Sequence, residues 1–187
     1  MSRVHGANAA IAVNRQPAPE FEVSSWLNAA QAPTLAALRG RVVAVYAFQM
    51  LCPGCVSHGI PQAKAIGLLF APDDVAVLGL HTVFEHHAVM NEEALKAFVH
   101  EYRIGFPVGI DRAGKTGPVP RTMALYALRG TPTLLLFDRQ GVLRHSLFGR
   151  AEDMQVGALI GQLLAEPVAT PDPIAVCDDD ACEIRQG

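Results

Sequence analysis

The sequence feature that most constrains the fold is a CPGC motif at residues 52–55, set between an apolar run and a segment that can begin a helix. The apolar run, residues 42–48, has the continuous hydrophobic character of a buried strand. A helix N-terminus favours negative charge, so we expect the thiol of Cys52, the first cysteine, to ionise readily. Because a thiolate is the attacking species in disulfide exchange, the order of strand, CXXC and helix predicts a redox-active dithiol formed by Cys52 and Cys55.

The residues between and after the cysteines suit the same interpretation. Pro53, followed by Gly54, fits the first turn of a helix, where its missing N–H is not needed and its fixed φ is near the helical value. Further along, Pro61 is expected to break or kink this helix.

The competing interpretation of the CPGC motif is half of a structural zinc site, which needs a second cysteine pair at ribbon or finger spacing. The remaining cysteines, Cys177 and Cys182, are spaced CxxxxC and lie more than a hundred residues away, so redox chemistry is favoured.

A second informative segment is Gly130-Thr131-Pro132-Thr133, directly before the strand-like run at residues 134–137. Proline cannot donate to a strand ladder, so a proline that opens a central strand needs a special role. A cis bond between Thr131 and Pro132 would turn the backbone of residue 131 toward the cysteines and provide a docking edge for an extended substrate. Alone, such a bond is usually trans, since about one X-Pro bond in twenty is cis in folded proteins. Beside a CPGC motif, the sequence favours cis.

Five segments resemble, in order and at the expected places, those of one protein family: residues 18–23, 34–43, the CPGC motif, 128–133 and 137–141. On these segments, about residues 17–165 resemble the TlpA-like thiol-disulfide oxidoreductases of the thioredoxin-fold superfamily, within the wider redoxin and AhpC/TSA set. The resemblance implies an α/β thioredoxin fold, with a central mixed sheet flanked by helices, an N-terminal hairpin extension and an inserted βα unit. The predicted alternation of strands and helices, followed by a hairpin and a last helix, fits this fold.

The CPGC motif and the resemblance together assign roles to particular residues. Cys52 is the predicted nucleophile, and Cys55 is the more protected resolving thiol. The predicted lining of the substrate groove consists of Pro53, Gly54, Thr131 and Pro132.

Several positions depart from the family's pattern, among them the Pro-Gly dipeptide between the cysteines, where the family commonly has Pro-Pro or Glu-Pro. Leu51 stands where the family usually has Trp before the first cysteine, and Tyr46 stands where thioredoxins have a buried Asp. His58 stands three residues after the second cysteine, where family members often have a Glu that assists proton transfer. Since imidazole titrates near neutral pH, His58 is a candidate proton carrier, the alternative being a partly solvated helix histidine.

Composition and charge bound the domain organisation and the partners. The chain has 187 residues, 50% of them hydrophobic, and a net charge of −3. These values suit one domain. The resemblance places that domain at residues 17–165, which leaves an N-terminal extension at 1–16 and a C-terminal tail at 166–187. Neither nucleic acid nor a membrane is expected as a partner, because there is no basic surplus and no run approaches the ~20 apolar residues of a transmembrane helix. The N-terminal extension lacks the apolar core of a secretory signal, which predicts a cytoplasmic protein, although the TlpA-like proteins that the chain resembles often work outside the cytoplasm.

The Pro-rich, acidic tail carries Cys177 and Cys182, separated by Asp178, Asp179, Asp180 and Ala181. Three interpretations of this pair stay open. It is a second dithiol that relays electrons to the CPGC motif, or its thiolates and the neighbouring carboxylates bind a metal, or the tail is a disordered acidic segment with incidental thiols.

A histidine-rich segment follows the predicted strand at residues 75–81. His81, Glu85, His86 and His87 lie at the carboxyl edge of the sheet, where sites form in α/β proteins. Adjacent histidines point in different directions on regular structure, so His86 and His87 are not expected to share an ion. His81, Glu85 and one of the pair could hold a metal in a loop. The simpler interpretation is a polar loop beside the active site, since the segment has no fixed ligand spacing.

We therefore predict a thiol-disulfide oxidoreductase that reduces protein or small-molecule disulfides and needs no cofactor or metal. A thiol reductant or a thioredoxin-type electron donor would recharge it. The first alternative is a thiol-dependent peroxidase of the peroxiredoxin kind, which needs Thr or Ser three residues before its cysteine, where this chain has Gln49. The second is a metal-binding carrier or chaperone that uses Cys52, Cys55 and a loop histidine, although such proteins typically space their cysteines CxxxC.

Overall fold

A computed structural model describes residues 16–167 and, further along, the backbone of two short strands. The strands are β1 (Val23–Leu27), β2 (Val42–Phe48), β3 (Val75–His81), β4 (Val108–Asp111), β5 (Thr133–Phe137), β6 (Leu143–Phe148), β7 (Ala175–Cys177) and β8 (Cys182–Ile184). The helices are α1 (Ile60–Leu69), α2 (Glu92–Glu101), α3 (Arg121–Leu125) and α4 (Asp153–Ala165), and a π-helical turn (Cys55–Gly59) leads into α1.

The strand before the CPGC motif lies in the interior of a mixed six-stranded sheet, whose order is β1-β4-β3-β2-β5-β6. All residues of β2 and β3 are buried, because both faces of the sheet are covered. β2 runs parallel to β3 and antiparallel to β5. The predicted α/β fold with a central mixed sheet is thus confirmed.

Each face of the sheet carries its own apolar core. On one face, α4 buries Val156, Ile160 and Leu163, whose spacing places them on a single side of the helix, and packs together with α1. On the other face, residues 35–38 and Met123 of α3 cover the central strands. Helices cover both faces of the sheet, so β2 is buried along its whole length. The chain reaches the surface only after the carboxyl end of β2, where the CPGC motif begins.

The predicted N-terminal hairpin is wrong for the part of the chain that the structure describes. β1 is a single strand, and it pairs antiparallel with β4 at the edge of the sheet. Gly109 makes this pairing possible, because a Cβ there would lie 3.1 Å from the ring of Trp26. After β1, Asn28 takes a left-handed conformation (φ 55°) and donates to the Ile104 carbonyl at 2.6 Å, which turns the chain away before a second hairpin strand can form.

The helix that carries the CPGC motif begins at Pro53 and runs through the π turn into α1. It does not break at Pro61; the irregularity expected there is a change from π-helical to α-helical hydrogen bonding between Gly59 and Ile60. The Ile60 N–H donates to the Cys55 carbonyl, five residues back, so the wider turn changes the hydrogen-bond pattern just where proline has no N–H to offer. Such π turns occur frequently at functional sites.

The tail is described only in part. β7 and β8 pair antiparallel, and Cys177 is the Cα partner of Cys182. The side chains of both cysteines, and residues 178–181 between them, lie outside the described residues. Among the helices of the described chain, none is long and apolar enough to cross a membrane.

Candidate active site

The first thiol lies at the surface, at the start of the helix. Cys52 follows β2 through a tight turn in which its N–H donates to the Gln49 carbonyl at 3.2 Å, and it is partly exposed. Its Sγ accepts a hydrogen bond from the Cys55 N–H at 3.3 Å and lies 3.5 Å from the Thr131 carbonyl, to which the thiol donates. An N–H group of the first helical turn is thus aimed at the Cys52 sulfur.

The second thiol lies beneath the first. Cys55 is fully buried in an apolar cluster that includes Phe48 and Ile60. Burial, followed by the hydrogen bond with Cys52, raises the pKa of the Cys55 thiol to about 12. Both cysteines are free thiols in this structure. The two groups therefore differ in access: a reagent from solvent meets Cys52 first, and Cys55 stays protonated and protected.

The loop before β5 faces the cysteines. The bond between Thr131 and Pro132 is cis. Pro132 lies against the active-site helix, 3.4 Å from the position that a Cβ of Gly54 would occupy and equally close to that of Gly59. Two helix glycines thus leave room for the proline ring. The structure brings together Cys52, Cys55, Gly54, Thr131 and Pro132, and it places Pro53 at the exposed start of the same helix.

His58 is only half exposed and points elsewhere. Its Nε2 lies 3.5 Å from the Ala151 carbonyl, just before α4. Cys52, by comparison, faces the Thr131 carbonyl on the neighbouring loop. The role of His58 as a proton carrier therefore stays a prediction.

A buried polar network under the helix escaped the sequence analysis. Tyr46, at the position of the thioredoxin Asp, donates to the side-chain carbonyl of Gln62, a buried residue of α1. The Gln62 amide donates to the Ala151 carbonyl at 2.8 Å and to Asp153 Oδ1 at 2.5 Å. Burial, with the Asp153 charge second, raises the pKa of Tyr46. A glutamine on the buried side of a helix is the one sequence signal that could have found this network.

The histidine-rich segment after β3 does not assemble as a site. His81 is buried, its ring centroid lies 5.3 Å from that of Phe48, and its Nε2 has no hydrogen-bond partner. Burial lowers the pKa of His81 to about 4. His86 and His87 are exposed in the loop. Within residues 16–167, no three His, Cys, Asp or Glu side chains group in a way that could hold a metal ion, so the arrangement of this loop does not support the metal hypothesis.

Gln49 occupies the position where a peroxidase would need Thr or Ser, and its side chain has a structural role. It is buried, its amide donates to Glu85 at 3.3 Å, and its carbonyl accepts from the Phe84 N–H at 3.3 Å. Its side chain thus ties the segment after β2 to the loop after β3. Leu51, in the place of the family Trp, is 59% exposed beside the first cysteine.

A mixed sheet flanked by helices, with a CXXC at the start of a helix and a cis-proline loop facing it, defines the class of thioredoxin-fold thiol-disulfide oxidoreductases. Comparison with known proteins gives the family. The model of the AhpC/TSA family matches residues 15–146, and the chain belongs to that family.

Individual relatives agree with this assignment. The chain is 56% identical to the thioredoxin-like superfamily protein SPOA0173, whose crystal structure it matches with a TM-score of 0.80 over 82% of this chain and 99% of that one. It is 47% identical to a thiol-disulfide isomerase from Corynebacterium glutamicum, with a TM-score of 0.78 over 81% and 97% of the two chains. It is 28% identical over 159 residues to the thiol:disulfide interchange protein DsbE of Pseudomonas aeruginosa, covering 82% of this chain and 79% of that protein. The predicted resemblance to the thioredoxin-fold redoxins is confirmed.

Proposed function

We propose that Cys52 and Cys55 form a redox couple that reduces disulfides in proteins or small molecules. The observation that carries the proposal is the position of the Cys52 sulfur. It is partly exposed, it accepts the Cys55 N–H at 3.3 Å, and it lies 3.5 Å from the Thr131 carbonyl. An extended substrate that pairs with the backbone at Thr131 would bring its own sulfur to Cys52.

The proposed reaction is two successive exchanges. The Cys52 thiolate attacks one sulfur of the substrate disulfide, the substrate S–S bond breaks, and the other substrate sulfur leaves as a thiolate and takes a proton. Cys55 then gives up its proton and attacks the Cys52 sulfur, which releases the second substrate thiol. Two electrons pass to the substrate, and the protein keeps a Cys52–Cys55 disulfide. A dithiol donor reverses these steps and restores the reduced pair.

The second exchange requires a proton acceptor, because burial raises the pKa of Cys55. His58, one helical turn after Cys55, is the proposed acceptor. It would act on the mixed disulfide, since catalytic hydrogen bonds often tighten only in the reacting complex. The alternative role for His58 is to hold the start of α4 through Ala151.

The reductive direction belongs to the proposal. In a reducing cytoplasm, the location predicted from the sequence, glutathione and thioredoxin keep dithiols reduced. The relatives are described as a disulfide isomerase and a disulfide interchange protein. Both names refer to reactions of thiols with disulfides, and neither fixes the direction for this chain.

The tail would add a second dithiol. Directly opposed residues of an antiparallel pair have Cα atoms about 4.5–5.5 Å apart, within the range of about 4.4–6.8 Å that a disulfide spans. Cys177 and Cys182 are such partners. We include in the proposal that this pair passes electrons to the CPGC motif, with one disulfide opening as the other closes.

The described residues at the base of the tail support this reach. Arg144 holds Glu166 with two hydrogen bonds, at 2.5 and 2.8 Å, just after the end of α4. The start of α4 lies beside the active-site helix, and α4 is about 20 Å long. Cys177 lies eleven positions after Glu166, and a chain segment of that length can span about 34 Å when extended, which exceeds the length of α4.

The relay is tested with the variant Cys177→Ser/Cys182→Ser, assayed against a dithiol protein donor such as thioredoxin. Turnover with that donor should fall several-fold while turnover with dithiothreitol stays unchanged. Asp178→Asn/Asp180→Asn is the matched control, because it alters the tail but keeps both thiols. Full activity of the cysteine variant with the protein donor would exclude the relay.

The function itself is tested by giving the wild-type protein two substrates in separate assays, a disulfide-bonded peptide and hydrogen peroxide, with dithiothreitol as the electron donor. Reduction of the peptide well above the rate of peroxide consumption supports the proposal. The opposite order would establish the peroxidase alternative, against which the buried and hydrogen-bonded Gln49 already argues.

A further inference from the structure

A cleft opens beside the cis-proline loop, and the functional site described so far makes no use of it. Its volume is about 330 Å³, and its lining includes Arg129, Thr133, Phe148 and Arg150. Arg129 comes two residues before Thr131, and Thr133 directly follows Pro132. The cleft therefore borders the edge on which an extended substrate would dock.

The aromatic side chain of Phe148 lines the cleft on the side of the cis-proline loop. Phe148, the last residue of β6, is 49% exposed, and its ring lies so close to Gly130 that a Cβ there would be 2.9 Å from Cε2. The guanidinium of Arg129 lies over the same ring, 5.1 Å from its centroid. This cation–π contact holds the arginine at the mouth of the cleft.

The charges of the cleft are unbalanced. Its lining contains two arginines and no carboxylate. No ion pair joins Arg129 to a carboxylate of residues 16–167, and Arg150 has only a long contact of 3.7 Å with Glu152, both side chains being more than two-thirds exposed. Such an exposed pair is weak and is easily exchanged for another partner. The chain as a whole carries a net charge of −3, so this positive cleft is a local feature.

We propose that the cleft is a substrate subsite that binds a carboxylate next to the disulfide. The favoured substrate is then a peptide or small molecule in which an acidic residue flanks the reacting cysteine. The inference rests on the proposed disulfide reduction at Cys52. A guanidinium can bind a carboxylate with two parallel hydrogen bonds, and the ring of Phe148 keeps Arg129 in place for this contact.

The test uses the full-length protein with two peptides that share one disulfide loop and differ in a single residue beside the cysteine, Glu in one and Lys in the other. Reduction is followed with dithiothreitol as donor. We expect kcat/KM for the Glu peptide to exceed that for the Lys peptide about tenfold, through KM, and the preference to weaken as salt is raised. Arg129→Gln should remove most of the preference, and Arg129→Lys should keep part of it.

Arg41→Gln is the matched control, since it removes the same charge before β2, at the end of the strand opposite the cysteines. It should keep the full preference. Equal reduction of both peptides by the wild type, or a preference unchanged in Arg129→Gln, would overturn the subsite and leave disulfide reduction standing. Failure of the wild type to reduce either peptide would count against the reductase function itself.

Discussion

Two neighbouring strands, β2 and β3, run parallel and end at the same edge of the sheet, with Phe48 opposite His81. Each is followed by residues capable of chemistry, yet only the first forms a site. After β2, the Cys55 N–H donates to the Cys52 sulfur, and that sulfur faces the Thr131 carbonyl of a second loop. At the end of β3, the His81 ring is buried with an unpartnered nitrogen, and the next histidines lie exposed in the loop that follows.

The neighbour of each strand explains the difference. β5 is antiparallel to β2, with Thr133 opposite Ala47, so the chain that enters β5 arrives at the cysteine end and brings Pro132 with it. β4 is parallel to β3, so it ends at the same edge. Its last residue, Asp111, accepts hydrogen bonds from Thr82 and from two N–H groups at the start of α3. The end of β2 therefore forms an active site because the Thr131 carbonyl faces its thiol, whereas the polar group beside the end of β3, Asp111, is already hydrogen-bonded within the fold.

The largest expected effect tests the contrast directly. Cys52→Ser removes the nucleophile at the end of β2, and disulfide reduction should fall at least about 1,000-fold. His87→Gln, in the exposed loop after β3, should leave the rate unchanged. Steady-state reduction of a disulfide-bonded peptide measures both variants, and comparable losses in the two would contradict the contrast.

The second prediction concerns the buried histidine. The unfolded chain binds a proton at His81 below about pH 6.5, whereas burial lowers its pKa to about 4 in the folded protein. The free energy of unfolding should therefore fall as the pH falls through this window, by about 3 kcal/mol in all. His81→Phe keeps the packing against Phe48 and should remove this part of the acid sensitivity.

Urea unfolding at several pH values between 4 and 7 gives this difference between the wild type and His81→Phe. The matched control is His100→Gln, because His100 is highly exposed. A wild-type profile that His81→Phe leaves unchanged would mean that the ring is protonated in the folded state.

The third prediction concerns the order of the two thiols. Because Cys55 is fully buried and its pKa is raised to about 12, iodoacetamide at pH 8 should label it at least about tenfold more slowly than Cys52. Labelling of the reduced protein, followed by mass spectrometry of the active-site peptide, gives both rates. Equal labelling rates would contradict the assignment of Cys52 as the attacking thiol and Cys55 as the resolving thiol.

The smallest expected effect is that of His58. Its ring faces the Ala151 carbonyl at 3.5 Å, so His58→Gln should slow turnover only a few-fold, well below the ~100-fold that a fully positioned base contributes. The signature of proton transfer is a changed pH profile of kcat, which a structural role would not produce. An unchanged profile, with a lower melting temperature, would assign His58 to holding α4.

The parts predicted from the sequence were those specified by short patterns. The continuous apolar run specified β2, the CPGC motif specified a helix start after it, and Thr131-Pro132 specified the facing loop. The parts that the sequence did not reveal depend on long-range contacts. Gln62 meets Asp153, 91 residues away, and β1 finds β4 rather than a hairpin partner. No local pattern records which distant side chain a buried polar group will meet.

The most direct test of the account is a redox titration of the full-length protein in glutathione buffers, with the state of Cys52 and Cys55 determined by mass spectrometry after alkylation. We predict a reversible disulfide between these two cysteines, with the two-electron dependence of about 30 mV for each tenfold change in the ratio of oxidised to reduced protein. Absence of a reversible Cys52–Cys55 disulfide over the whole range of buffers would contradict it.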